Sequence, residues 1–173
     1  MLTRRQFIKI GLAGGLVLAA ARFLERPLAA PAAGRRFLDD EGARLVAALV
    51  PMILAGALPE DNAARSRAVR ETVEAFDRAV SGLTPSVQEE VAQLFSFLAF
   101  APTRIAFAGL WAPIDESTPE ELKAFLARWS SSRLDLQRVS YLALTQLIQA
   151  AWYGNTASWA AIGYPGPPSL EGR

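Results

Sequence analysis

From Phe37 onward the apolar positions recur at helical spacing, and no stretch alternates as a strand does. Leu45, Leu49, Met52 and Ile53 share one face of a first helix over about 39–57. Asp39, Asp40 and Glu41 open it, where the helix dipole favours negative charge, and Pro51 is expected to kink or divide it. A second helix over about 62–81 turns Val69, Thr72, Val73, Phe76 and Val80 inward. Its outer face pairs Arg67 with Glu71, Arg70 with Glu74 and Glu74 with Arg78, each four residues apart, and Gly82 stops it. Thr84-Pro85 opens a third helix with a capping residue followed by proline at the first helical position. Val87, Val91, Leu94, Phe95 and Leu98 form its inner stripe. Phe97, Phe100, Phe107 and Trp111 widen that apolar surface, and Pro102 and Pro113 interrupt it. A helix apolar over most of its circumference is either central to a core or covered by a partner.

Thr118-Pro119-Glu120-Glu121 spells a capping box and opens a fourth helix through Leu122, Phe125, Leu126 and Trp129 to the break at Ser130-Ser131-Ser132. A fifth, over about 133–152, has two apolar faces: Leu136, Val139, Ala143, Leu147 and Ala150 on one, Tyr141, Leu144, Ile148 and Trp152 on the other. It reads as the central helix, ended by Gly154-Asn155, two residues that tolerate the left-handed conformation. The expected fold is all-α: a single small helical domain of four to five helices over 33–173, with a Gly/Pro-rich C-terminal tail.

Composition narrows the chemistry. The chain has 173 residues, 51% hydrophobic and 20% charged, enough apolar material for one real core. It has no cysteine and no histidine. That excludes disulfides, thiolate metal sites, cysteine nucleophiles and covalently attached haem. It also excludes the commonest general base and the usual zinc and haem ligands. Paired carboxylates occur at Glu60/Asp61, Glu89/Glu90, Asp115/Glu116 and Glu120/Glu121. Most fall near helix starts, where capping and dipole effects account for them, and adjacent helical residues point about 100° apart rather than converging. No catalytic, cofactor-binding or metal-binding residue is assigned.

Charge is unevenly spread. Residues 1–32 hold five basic side chains (Arg4, Arg5, Lys9, Arg22, Arg26) and one acidic (Glu25), which leaves 13 basic and 16 acidic in the body, a net of −3. The body therefore presents no electrostatic case for nucleic acid as a partner. The N-terminus has a basic start, an uncharged run from Ile10 to Ala21 and a small-residue end, the three-part layout of a secretory signal. Thr3-Arg4-Arg5-Gln6-Phe7-Ile8-Lys9 closely resembles the twin-arginine export signal, with Arg4, Arg5, Phe7 and Lys9 as its recognised residues. The apolar run of twelve residues is shorter than the roughly 20 that a membrane-spanning helix needs. Removal of the segment is expected after Ala32, with small residues at Ala30 and Ala32. Cargo of this route resembles proteins that fold before crossing.

The tail is the most individual stretch. After Trp152-Tyr153-Gly154-Asn155 come Trp159 and Gly163-Tyr164-Pro165-Gly166-Pro167-Pro168. Prolines and glycines keep the last run out of a helix and preset an extended strip, suited to an aromatic-lined groove on another subunit. The same strip could equally fold back over its own core, with Trp159 and Tyr164 as plugs.

A helix ending in Tyr-Gly-Asn, a Trp a few residues on, and Gly-Tyr-Pro-Gly-Pro beyond it resembles the small-subunit family of gluconate 2-dehydrogenase and related FAD-dependent sugar and alcohol dehydrogenases. The resemblance implies an all-helical subunit with no cofactor of its own, carried on a twin-arginine signal. It pairs with a large flavoprotein of the glucose–methanol–choline class, which holds the FAD and is exported with it through the twin-arginine translocase. A multihaem cytochrome c subunit commonly takes the electrons. The expected location is periplasmic, with membrane association through the signal or the complex. Phe97, Phe100, Phe107, Trp111, Trp152, Tyr153, Asn155, Trp159, Tyr164, Pro165 and Pro167 are then the expected partner-binding residues. The alternative is a freestanding periplasmic helical module with a cavity for an apolar ligand.

Overall fold

The structure, a computed structural model, describes residues 30–159. Within them the chain is all-helical and has no strand. The long helices are α1 (Asp40–Ile53), α2 (Asn62–Ser81), α3 (Pro85–Ala99), α4 (Pro119–Ser130) and α5 (Asp135–Tyr153). Short helical turns at Ala101–Thr103, Arg104–Ala108, Ile114–Glu116 and Thr156–Trp159 lie between and after them. α5 packs against α1, α2 and α4, and α1 against α2, so α5 is central as its two-faced pattern suggests. The space between them is filled by Leu45, Val46, Leu49 and Val50 of α1, Val73, Phe76 and Val80 of α2, Phe125 and Trp129 of α4, and Leu144 and Ile148 of α5. Burying each such side chain contributes about 1.5–3 kcal/mol.

Several ends differ from the sequence reading. α1 runs through Pro51, which has no N–H for Ala47, and stops at Ile53. The N–H of Leu54 still reaches the Val50 carbonyl at 2.9 Å, and Gly56, at φ +82°, turns the chain away. The chain thus leaves the helix at the left-handed Gly56, beyond the proline, and Pro51 does not divide α1 in two. α2 has the expected bounds, capped by Asp61, whose carboxylate accepts the Ala64 N–H at 2.7 Å. Its outward Arg–Glu pairs do not close. Within 4 Å, the ion pairs among the described residues are Arg35–Asp40, Arg44–Asp115 and Arg138–Asp135. α4 carries both halves of the capping box: the Thr118 hydroxyl accepts the Glu121 N–H, and the Glu121 carboxylate accepts the Thr118 N–H. Gly154 ends α5 without a left-handed residue, at φ −73°. A Cβ there would lie 2.8 Å from the Ala150 carbonyl oxygen, so close approach is what favours glycine.

α3 ends abruptly. Phe100 is extended, and the chain turns by 84° before the next short helical piece. Pro102 cannot donate to the Leu98 carbonyl that a continuing helix would offer it. The freed carbonyls are taken by side chains further along: the Thr103 hydroxyl donates to Phe97 (2.6 Å) and Phe100 (2.9 Å), and the Arg104 guanidinium to Ala99 (2.7 Å), Leu98 (3.4 Å) and Trp111 (3.3 Å). Arg104 is buried, so its charge sits against the negative end of the α3 dipole instead of in water.

One buried carboxylate organises the start of the domain. Asp77, on the inner face of α2 and 4% exposed, accepts three successive backbone N–H groups: Arg36 at 2.9 Å, Phe37 at 2.9 Å and Leu38 at 2.7 Å. Burial pushes its carboxyl up, but the N–H groups of Leu38, Arg36 and Phe37, with the Arg35 charge, outweigh that and hold it below the ordinary value. Asp39 follows as the cap of α1, accepting the Gly42 N–H at 2.7 Å.

Candidate docking surface

The broadest departure from an ordinary surface lies on α5. Leu136, Val139, Leu142, Gln146, Gln149 and Tyr153 recur at spacings of three and four and form one exposed stripe. Val139 is 61% exposed, Leu136 58%, Leu142 50% and Tyr153 42%. Leu134, just before the helix, is 55% exposed. After Arg138, α5 carries no charged residue as far as Tyr153. Of the two apolar faces, the one with Leu136 and Val139 is thus the outer one, and the core is served by Ser140, Leu144, Thr145, Ile148, Ala151 and Trp152. The reason is geometric: α1, α2 and α4 all pack on one side of α5, and nothing among the described residues covers the other.

A groove of about 460 Å³ adjoins the stripe and shares Leu142, Gln146 and Gln149 with it. Met52 and Ile53 at the end of α1, Lys123, Leu126, Ala127 and Ser130 of α4, and Tyr141 and Thr145 of α5 complete its lining. Its lining thus mixes apolar side chains, hydroxyls and amides with one charged residue, Lys123.

The residues expected to meet a partner fall in different settings. Phe97 and Phe107 are half-buried and join an internal cluster. Phe97 meets Phe107 at 6.0 Å between ring centres, Phe107 meets Trp129 edge-on at 6.5 Å, and Phe125 meets Trp129 at 4.6 Å. Phe100 is half-buried at the bend. Trp152 is 4% exposed and belongs to the core, so as an outward contact it is corrected: α5 turns that face onto its neighbours. Trp111 is 81% exposed and Tyr153 lies on the stripe. Asn155 and Trp159 are half-buried; the Trp159 indole donates to the Tyr153 carbonyl at 3.1 Å and folds the last short helix back on α5. Arg4, Arg5, Phe7, Lys9, Tyr164, Pro165 and Pro167 lie outside the described residues.

The loop that presents Trp111 is fixed from below. The Phe107 carbonyl accepts the Trp129 indole N–H (3.2 Å) and the Gln137 amide (2.7 Å), and the Ala108 carbonyl accepts Arg128. Gly109, at φ +64°, then reverses the chain. Trp111 therefore projects from a braced turn, a preorganised way to offer a large aromatic side chain.

The carboxylate pairs stay in structural roles. Asp61 caps α2, Asp115 meets Arg44 at 3.0 Å, Glu121 closes the capping box, and Glu60, Glu89, Glu90, Glu116 and Glu120 are exposed. Among the described residues no group of three or more Asp or Glu could hold a metal ion, and no single helix is long and apolar enough to cross a membrane. Comparison with protein-family models, with curated proteins and with solved structures finds no match to this chain.

Proposed function

We propose that the chain is a noncatalytic small subunit that docks a large FAD-dependent dehydrogenase of the glucose–methanol–choline class and carries it through the twin-arginine export pathway. The observation that carries the docking half is the exposed apolar outer face of α5, which has no charged residue from Val139 to Tyr153. Exposed apolar residues scattered singly are ordinary; four in register along one helix mark a surface that meets another protein. The proposed partner is a large folded protein because the stripe is long and lies beside a groove with a mixed apolar and amide lining. The export half rests on Thr3-Arg4-Arg5-Gln6-Phe7-Ile8-Lys9. A chain without histidine or cysteine suits this division of labour, in which flavin chemistry belongs to the larger subunit.

The test is isolation of the tagged chain from its own cell envelope in mild detergent, followed by an absorbance spectrum. A co-isolated large chain with bound flavin is the expected outcome, and the double change Val139→Asp, Leu142→Asp should release it while the small chain stays folded. A colourless monomer carrying an apolar small molecule would overturn the reading in favour of a ligand-binding module.

A further inference from the structure

The backbone joining the N-terminal segment to the domain is exposed at Pro31, Ala33 and Gly34, but it is tied by hydrogen bonds at Ala32 and from Arg35 to Leu38. The Ala32 N–H donates to the Leu38 carbonyl at 3.0 Å, and the Ala32 carbonyl accepts the Arg35 N–H at 2.9 Å. Gly34, at φ +82°, occupies the third position of that turn, where a type II turn requires positive φ. The next three N–H groups all end on Asp77. Leu38, 1% exposed, is a core residue, and Arg35 pairs with Asp40 at 3.1 Å.

We infer that the fold protects the Ala32–Ala33 bond, where the sequence pattern places removal of the export signal, so that residues 1–32 stay on the exported chain. A peptidase takes its substrate as an extended strand, with the backbone groups on both sides of the bond free to pair with the enzyme. Here the scissile carbonyl is already engaged inside a turn. The turn has no room to relax by itself, because Asp77 and the buried Leu38 fix the chain immediately after it. Exposing the bond means peeling the strap back to Leu38, and cleavage of a folded site proceeds through that opened population. The inference rests on the export reading, since a chain that crosses folded meets the peptidase with this strap already closed. An unfolded chain would be cut before the strap could form.

The experiment uses the full chain in its own cells, with cytoplasm and envelope separated and intact mass measured. Three forms are compared: wild type, Asp77→Ala, and an insertion of Gly-Ser-Gly-Ser-Gly-Ser between Ala33 and Gly34. The insertion frees the bond while leaving Asp77 and its three donors in place, so it remains informative if Asp77→Ala fails to fold. Envelope wild type should keep residues 1–32, and the insertion form should be cut after Ala32, with the cut fraction raised about tenfold or more. Envelope wild type shortened by any N-terminal cut overturns the inference and leaves the export reading standing. An exported insertion form that stays whole overturns it as well. Wild type found only in the cytoplasm removes the export reading, and this inference with it.

Discussion

Asp77 offers the sharpest stability test, because its oxygens have separable roles. Oδ1 accepts both Phe37 and Leu38, whereas Oδ2 accepts Arg36. Asp77→Ala strands all three donors. The Leu38 N–H is fully buried and the other two partly so. An unsatisfied buried donor costs about 1–3 kcal/mol, and partly buried ones about half that, which gives a loss of about 2–6 kcal/mol. Asp77→Asn keeps an oxygen for Phe37 and Leu38 but turns an amide N–H toward the Arg36 donor, and loses the charge. Its expected cost is smaller, about 1–2 kcal/mol. Denaturant unfolding of the purified full chain measures both.

The pH dependence follows from the same bonds. The three N–H groups and Arg35 hold the folded carboxyl below its ordinary value, so the unfolded state binds a proton first as pH falls. The stabilisation is fully present above the unfolded value and is lost as pH drops toward the folded one. The gap between wild type and Asp77→Asn should stay constant from neutrality to about pH 5 and shrink below about pH 4. A loss under about 1 kcal/mol for Asp77→Ala, or a gap that widens in acid, would refute the account of Asp77 as a charged clamp.

Other outcomes are expected from single sites. Val139→Asp and Leu142→Asp, on the exposed stripe, should each change unfolding stability by less than about 0.5 kcal/mol. Ile148→Ala, on the opposite face of the same helix and fully buried, should cost about 2–5 kcal/mol in the same denaturant titration. Gly109→Ala should cost about 1–2 kcal/mol, because φ +64° is unfavourable for alanine and the new Cβ would sit 2.8 Å from an Arg128 nitrogen; thermal unfolding checks it. Thr118→Ala should lower stability by about 1 kcal/mol by opening the capping box. Thr84→Ala should change stability by only a few tenths of a kcal/mol, since the Thr84 side chain makes no capping bond.

Periodicity carried the helices themselves, and capping residues carried most of their beginnings: Asp39, Thr84 with Pro85, and Thr118 with Glu121 all mark observed starts. It carried the inner face of α4 completely, since Leu122, Phe125, Leu126 and Trp129 are all buried. What it could not assign was which of two apolar faces on α5 points inward. Both repeat at helical spacing, and the choice is made by where α1, α2 and α4 lie, which is tertiary information. The absence of charge after Arg138 was the available signal that the outer face is unusual. Asp77 was missed for a related reason. It sits among Glu74 and Arg78 in sequence, yet four residues after Val73 and three before Val80 it falls on the buried stripe. A carboxylate in that register predicts a set of backbone donors to meet it. Which donors those are depends on a segment forty residues away.

The two faces of α5 bear on how the proposed docking would work. A small bundle gains little from exposing Leu136, Val139, Leu142 and Tyr153, because an exposed apolar side chain contributes nothing to its own stability and invites nonspecific association. The inner face of the same helix meets α1, α2 and α4 through Leu144, Ile148 and Trp152. A partner seated on the outer face would therefore press on the one helix that all of the central packing shares. Its binding would stabilise the bundle as a unit, in proportion to the logarithm of partner concentration over Kd. The braced loop at Trp111 differs in kind. It is tied to α4 and α5 through the carbonyls of Phe107 and Ala108, so an aromatic contact there gains from rigidity already built. Surface carried on the central helix, with a preset aromatic residue on a braced turn, would under the proposed role let folding and the grip on a partner reinforce each other.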